Sequence, residues 1–176
     1  MVSNPELFTG NGLDLSLEIQ PLENPEGELH LCFYLSSGAE FAFPATGIAE
    51  VMQQSPDQIA PIPNASPLLL GTMNLRGKII WVADLGQFLG DSGVLKTDRP
   101  AIPVIAIEHQ EQVLGLAIEK IGDMAWLNVD NLEFYHNPPD NIAPFIQGQW
   151  QDNEKSDRIL NLLEPSKILR SARWGT

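Results

Sequence analysis

Apolar residues in this chain come in short stretches, and proline, glycine or a polar cluster ends each one before a long helix can form. The first stretch sets the pattern. Leu29, Leu31, Phe33 and Leu35 alternate with His30, Cys32, Tyr34 and Ser36, the period of two expected of a strand with one face in a core. Ser37-Gly38-Ala39 supplies a turn, and Phe41, Phe43 and Ala45 resume the alternation as a hairpin partner. Residues 48–52 read as a third strand. Further strands are expected over 72–75 and 78–85, on either side of Arg76-Gly77, then over 102–107 and 113–118, which flank a polar turn at 109–112, and finally over 159–164. Ile79-Ile80-Trp81-Val82 is an unbroken apolar run, so that strand is expected to be buried on both faces. The helices are short: one turn at 68–71, a second piece over 84–89 closed by Gly90, and a third beginning at Pro165. The class is mostly β.

Between the stretches lie connectors. Residues 1–27 mix Asn, Pro, Gly and Glu with scattered Leu and read as an acidic N-terminal extension, a partly ordered tail. Pro56, Pro61, Pro63 and Pro67 mark a connector of polyproline character, and 91–100 and 137–144 are polar loops. Internal similarity organises the rest. Ile79 to Asp84 with Phe88-Leu89 resembles Ile159 to Glu164 with Ile168-Leu169, each preceded by a short apolar element ending in Gly71 or Gly148. Earlier, Phe41-Ala42-Phe43 followed by Ile48 matches Leu114-Gly115-Leu116 followed by Ile121. Three matches in one order predict two related β subdomains in tandem.

Charge narrows the function. The chain holds 23 acidic and 10 basic residues, a net charge of −13, and such a surface repels nucleic acid and anionic lipid headgroups. The start lacks a basic, apolar secretory leader, no apolar run is long enough to span a bilayer, and a single cysteine, Cys32, excludes an internal disulfide. A cytoplasmic location is expected. His30, His109 and His136 lie far apart, and no metal or phosphate-binding motif is present. Cys32 reads as a packed thiol, His109 as a solvated turn residue and 152–157 as a solvated charged loop. Neither a cofactor nor an enzymatic activity is expected. The first 75 residues carry nine acids and no Lys or Arg, so Arg76 is the first cation in the chain. Such an isolated guanidinium suits a partner's carboxylate or carbonyl; the plainer alternative pairs it with an acid of its own subdomain, such as Asp84.

Several motifs now fall together. Gly71-Thr72-Met73-Asn74-Leu75-Arg76-Gly77, followed by an apolar strand closing on Asp84-Leu85, resembles the signature of CheW-like domains. Pro61-Ile62-Pro63-Asn64-Ala65, Gly115 to Ile121, Phe145-Ile146-Gln147-Gly148 and Ile159 to Glu164 with Ile168-Leu169 resemble that family's other conserved elements. The similarity spans about residues 28–170, leaving 171–176 as a C-terminal tail. It implies two SH3-like β-barrels packed around a shared hydrophobic core. It also implies a non-catalytic chemosensory adaptor without a cofactor, which couples the cytoplasmic signalling tip of a chemoreceptor, of methyl-accepting or photoreceptor-linked type, to the regulatory domain of a CheA-type histidine kinase. Trp81 stands where many members have proline, and Glu119 and Glu164 stand for aspartate; these departures preserve charge or bulk and bear on which partners are bound. By analogy, Trp81 and the acidic extension point toward pilus-based motility or phototaxis. The alternative is a free-standing SH3-like module that competes with the true adaptor.

The expected contact residues follow. Gly77 turns the chain with a positive φ while Arg76 projects its donors outward, and Asn74 holds the turn by bonding nearby backbone. Met52, Leu68 and Leu70 are the candidate exposed apolar contacts. Trp81, Ile79 and Ile80 are assigned to the core, and Asp84 to capping the following helix.

Overall fold

A computed structural model describes residues 27–151 and 158–174. Residues 1–26 of the acidic extension and the 152–157 cluster lie outside it. The described residues form ten strands: β1 (Glu28–Tyr34), β2 (Glu40–Pro44), β3 (Ile48–Gln54), β4 (Leu69–Leu75), β5 (Lys78–Asp84), β6 (Ile102–His109), β7 (Gln112–Ala117), β8 (Lys120–Leu127), β9 (Ile146–Gln151) and β10 (Ile159–Leu163). Two short helices follow strands of matching position, α1 (Leu85–Leu89) after β5 and α2 (Pro165–Leu169) after β10.

The strands make two five-stranded sheets, ordered β8-β1-β2-β10-β9 and β3-β6-β7-β5-β4. Moving five strands along the chain converts one order into the other, so the internal similarity read from the sequence reflects a real repeat. The irregularities repeat too. Register slips between Leu31 and Phe33 in β1 against β8, and between Ile48 and Glu50 in β3 against β6. It slips again at Leu162/Leu163 and at the corresponding Leu69/Gly71. Isolated bridges at Glu133↔Gln149 and Ala60↔Thr72 complete the correspondence.

The two subdomains are nevertheless not consecutive halves. The first sheet takes β1 and β2 from the first half of the chain and β8 to β10 from the second; the other sheet takes the complement. The tandem expectation is corrected in this respect. Each sheet is sealed between the halves by a parallel pair, β10 on β2 and β5 on β7.

Alternation then sorts the side chains into three clusters. Phe33, Phe43, Leu85, Ile105, Leu116 and Ile168 lie in a central core shared by the two sheets. Ile80, Val82, Ile102 and Val104 fill the second sheet's barrel, and Cys32, Ala42, Leu160 and Leu162 the first. Contacts across the outer strands draw each sheet round on itself. The Trp150 indole N–H on β9 donates to the Asn128 carbonyl just beyond β8 at 2.9 Å, and the turn after β4 reaches Glu50 on β3. The expected two barrels around a common core are observed.

Local expectations fail in three places. Leu69-Leu70-Gly71 opens β4 and is not a helical turn, because Ala60 and Thr72 exchange backbone hydrogen bonds of 2.8 and 2.9 Å. Gly71 makes this possible: a Cβ there would sit 2.2 Å from the Ala60 carbonyl oxygen. Strand β8 is not singled out by the sequence; it runs from Lys120 to Leu127, with Ala125 and Leu127 turned inward and Met124 and Trp126 outward. The β5 run is not buried on both faces, since burial alternates along it. Beyond residue 170 the chain stays on the core: Trp174 stacks on Phe88 with centroids 4.3 Å apart, and Arg173 donates to the carbonyls of Phe88 and Asn141.

Candidate partner-binding surface

Strands β4 and β5 meet in a two-residue hairpin, with Leu75 paired to Lys78. Both turn residues have positive φ, 53° at Arg76 and 86° at Gly77, the geometry whose twist matches a right-handed hairpin. Glycine takes that angle freely; arginine takes it against its own Cβ. Asn74 Oδ1 accepts from the Gly77 N–H at 2.9 Å and locks the loop, as its placement in the sequence suggested.

The Arg76 side chain is 79% exposed, and its Nε lies 2.9 Å from Oε1 of Glu50. The internal acid it meets is therefore Glu50 and not Asp84. An exposed pair of this kind contributes about 0.2–1 kcal/mol, far less than would hold a guanidinium away from another carboxylate. Asp84 does cap α1, its Oδ1 accepting from the Gln87 N–H at 3.1 Å. Burial raises the Asp84 pKa, opposed by the backbone hydrogen bonds it receives.

Of the apolar candidates, Met52 and Leu70 are half-buried against the second barrel's core, and Leu68 against the shared core. They are not the exposed face. That role falls to Ile79, 68% exposed, and Trp81, 39% exposed, both assigned to the core from sequence; Ile80 alone of the three is buried. Asn74 lies opposite Ile79 and Thr72 opposite Trp81, so the apolar pair and the Arg76 turn form one continuous surface. The signal was present in the alternation of Ile79 and Trp81 with Ile80 and Val82, but four apolar residues in a row hid it. Trp81 also walls a cleft of about 660 Å³ between the Pro-rich connector at Ile62 and Pro63, the β6–β7 hairpin at Leu114, and Leu169 with Trp174.

A second set of polar groups gathers at the β2–β10 joint of the first barrel. Arg158 Nε and Nη2 donate to the two carboxylate oxygens of Glu40 at 3.0 and 2.8 Å, and Glu40 is only 7% exposed. Asn161 Nδ2 donates to the Glu40 carbonyl at 2.9 Å and its Oδ1 accepts from Gln149 at 2.8 Å. Both carboxylate oxygens of Glu40 and both amide atoms of Asn161 thus have partners, which is a structural arrangement. Cys32 lies beside it, fully buried; burial, with the Glu40 charge adding, pushes its thiol up to about 11. No helix among the described residues is long and apolar enough to cross a membrane.

Comparison with known proteins matches residues 30–173 to the CheW-like domain family. The chain belongs to that family. Protein PilI of Pseudomonas aeruginosa is 27% identical over 112 residues, covering 63% of this chain and 61% of PilI. The chain thus matches about three fifths of that relative's length. The crystal structure of the scaffolding protein TtCheW from Thermoanaerobacter tengcongensis superposes with a TM-score of 0.66 at 21% identity, covering 78% of this chain and 89% of that one. Within this CheW-like domain, the signature residues Asn74-Leu75-Arg76-Gly77 are the β4–β5 hairpin itself. Its glycine and asparagine serve the turn, and its arginine is left facing outward.

Proposed function

We propose that this CheW-like protein is a non-catalytic adaptor that joins the cytoplasmic tip of a chemoreceptor to the regulatory domain of a CheA-type histidine kinase. The kinase domain meets the second barrel along Arg76, Ile79 and Trp81. The observation that carries this reading is the exposed Ile79–Trp81 pair set beside an outward-facing arginine on an otherwise acidic chain. Interfaces place aromatic and arginine anchors together in this way. The 660 Å³ cleft behind Trp81 offers a largely apolar seat for a receptor's helical tip. Likeness to PilI favours a pilus-linked output over phototaxis. The protein works in the cytoplasm, where both partners present these domains, and needs neither cofactor nor metal.

Mixing the purified chain with the kinase and receptor encoded beside it tests the reading. A complex holding all three is expected, and Arg76→Ala is expected to weaken kinase binding by about 2 kcal/mol, near thirtyfold, with unchanged thermal unfolding. Binding of only one partner at a time would identify a competitor instead.

A further inference from the structure

Basic side chains are few in this chain and unevenly placed. Lys167, Arg170 and Arg173, three of its ten Lys and Arg residues, fall within 167–173, on α2 and the turn that follows it. All three line one hollow of about 430 Å³. Leu169 and Trp174 of the same segment line the Trp81 cleft instead, so the segment serves two separate surfaces.

Arg173 is held without a counter-ion. Its Nη1 donates to the carbonyls of Phe88 at 2.9 Å and Asn141 at 2.8 Å, and the guanidinium carbon lies 4.9 Å from the centre of the Phe145 ring and 5.2 Å from that of Phe88. Neutral carbonyls and two rings fix the group and leave its charge uncompensated. Nε and Nη2 have no partner among the described residues, and this is the edge that Arg158 turns to the Glu40 carboxylate. A fork fixed in advance takes a carboxylate in two parallel hydrogen bonds with little further ordering. Arg170 is exposed and makes no ion pair among the described residues. Lys167 meets Glu164 at 3.4 Å in an exposed pair that is easily released. Pro144 and Ala172, both exposed, give the hollow an apolar rim.

We infer that this hollow binds an acidic peptide segment of a partner protein, with one carboxylate on the open edge of Arg173, others met by Arg170 and Lys167, and apolar side chains resting on Pro144 and Ala172. The net charge of −13 does not forbid this. Acids more than about 8–10 Å away are screened at physiological ionic strength, whereas contacts inside the hollow are not. The same net charge selects against extended polyanions, because nucleic acid or an anionic membrane would also face the acidic remainder of the surface. The hollow shares no residue with the Arg76 turn or the Trp81 cleft, and the inference does not rest on the adaptor reading.

Fluorescence anisotropy on the full chain at low ionic strength provides the test, with a capped, fluorescein-labelled peptide of four Glu-Leu repeats as the probe and Gln-Leu repeats as its neutral control. Saturable binding of the acidic peptide is expected, and Lys167→Gln with Arg170→Gln, at exposed positions, should weaken it at least about tenfold while thermal unfolding stays unchanged. In the parent, the Arg173 Nε–H resonance should move on titration with the acidic peptide and stay still with the neutral one. Equal affinity in parent and variant, equal binding of the neutral peptide, or an unmoved Arg173 resonance overturns the inference. So does tighter binding of inorganic phosphate than of the peptide, since the hollow would then be a phosphate site.

Discussion

Arg76 adopts a backbone angle that asparagine would accept more readily, and the exposed pair with Glu50 returns little for it. Strain held at a surface turn points to use by a partner. Arg76→Asn creates the favoured Asn-Gly turn, and the variant is expected to unfold at the same or higher denaturant while losing about 2 kcal/mol of the kinase binding proposed above. Titration curves of stability and affinity on one preparation would separate the two effects. Asp84 behaves differently. Its pKa is raised above the ordinary 3.8 by burial, so the protonated form is favoured in the folded state. The stability it adds is fully present below pH 3.8 and is lost as pH rises through the elevated value. Asp84→Asn keeps an oxygen for the Gln87 N–H and removes the charge, so urea unfolding should show the parent gaining on this variant as pH falls from 6 to 3.5. Asp84→Ala, without the cap, should lose about 1 kcal/mol near neutrality. The Cys32 thiol, fully buried and pushed up to about 11, should resist alkylation at pH 8 until the protein is unfolded by denaturant.

At the scale of elements, the β2–β10 pairing is the joint on which the first barrel depends. It is parallel and has three paired positions, from Leu160↔Glu40 to Leu162↔Ala42. Asn161 and Arg158 on the β10 side grip Glu40 at the start of β2, one by its carbonyl and the other by its carboxylate. Arg158→Ala would leave a nearly buried carboxylate unpaired and should cost about 3 kcal/mol; Glu40→Gln in the same chain should recover part of that loss in equilibrium unfolding. The equivalent β5–β7 joint lacks this network, because Trp81 stands where β10 has Asn161 and turns outward to solvent. Most strands could be read from alternation because the period of two is local. The β5 faces could not, because a run of Ile, Ile, Trp and Val has no polar residue to mark the wet side. Leu69 to Gly71 was misjudged for a related reason: the bridge that makes it a strand comes from Ala60, across a Pro-rich loop.

For the whole molecule, the interleaving of the halves has a direct consequence. Each sheet needs strands from both ends of the chain, so neither half can close a barrel by itself. Residues 27–98 or 99–176 expressed alone should lack cooperative unfolding by circular dichroism, and the two co-expressed should recover it; a cooperative transition in either fragment would contradict the interleaved topology. The intact domain should unfold in a single step, since the central cluster draws side chains from both sheets. What the amino-acid order determined unaided was everything encoded in neighbouring residues: the mostly β class, the repeat, the Asn74–Gly77 turn, the Asp84 cap and the resemblance to CheW-like domains. Only the tertiary structure decided which sheet each strand joins, that Arg76 meets Glu50, and that Ile79 and Trp81 face outward while Met52, Leu68 and Leu70 turn inward. Those outcomes depend on which distant strand lies alongside, and burial is a property of such long-range packing, not of any short stretch of chain.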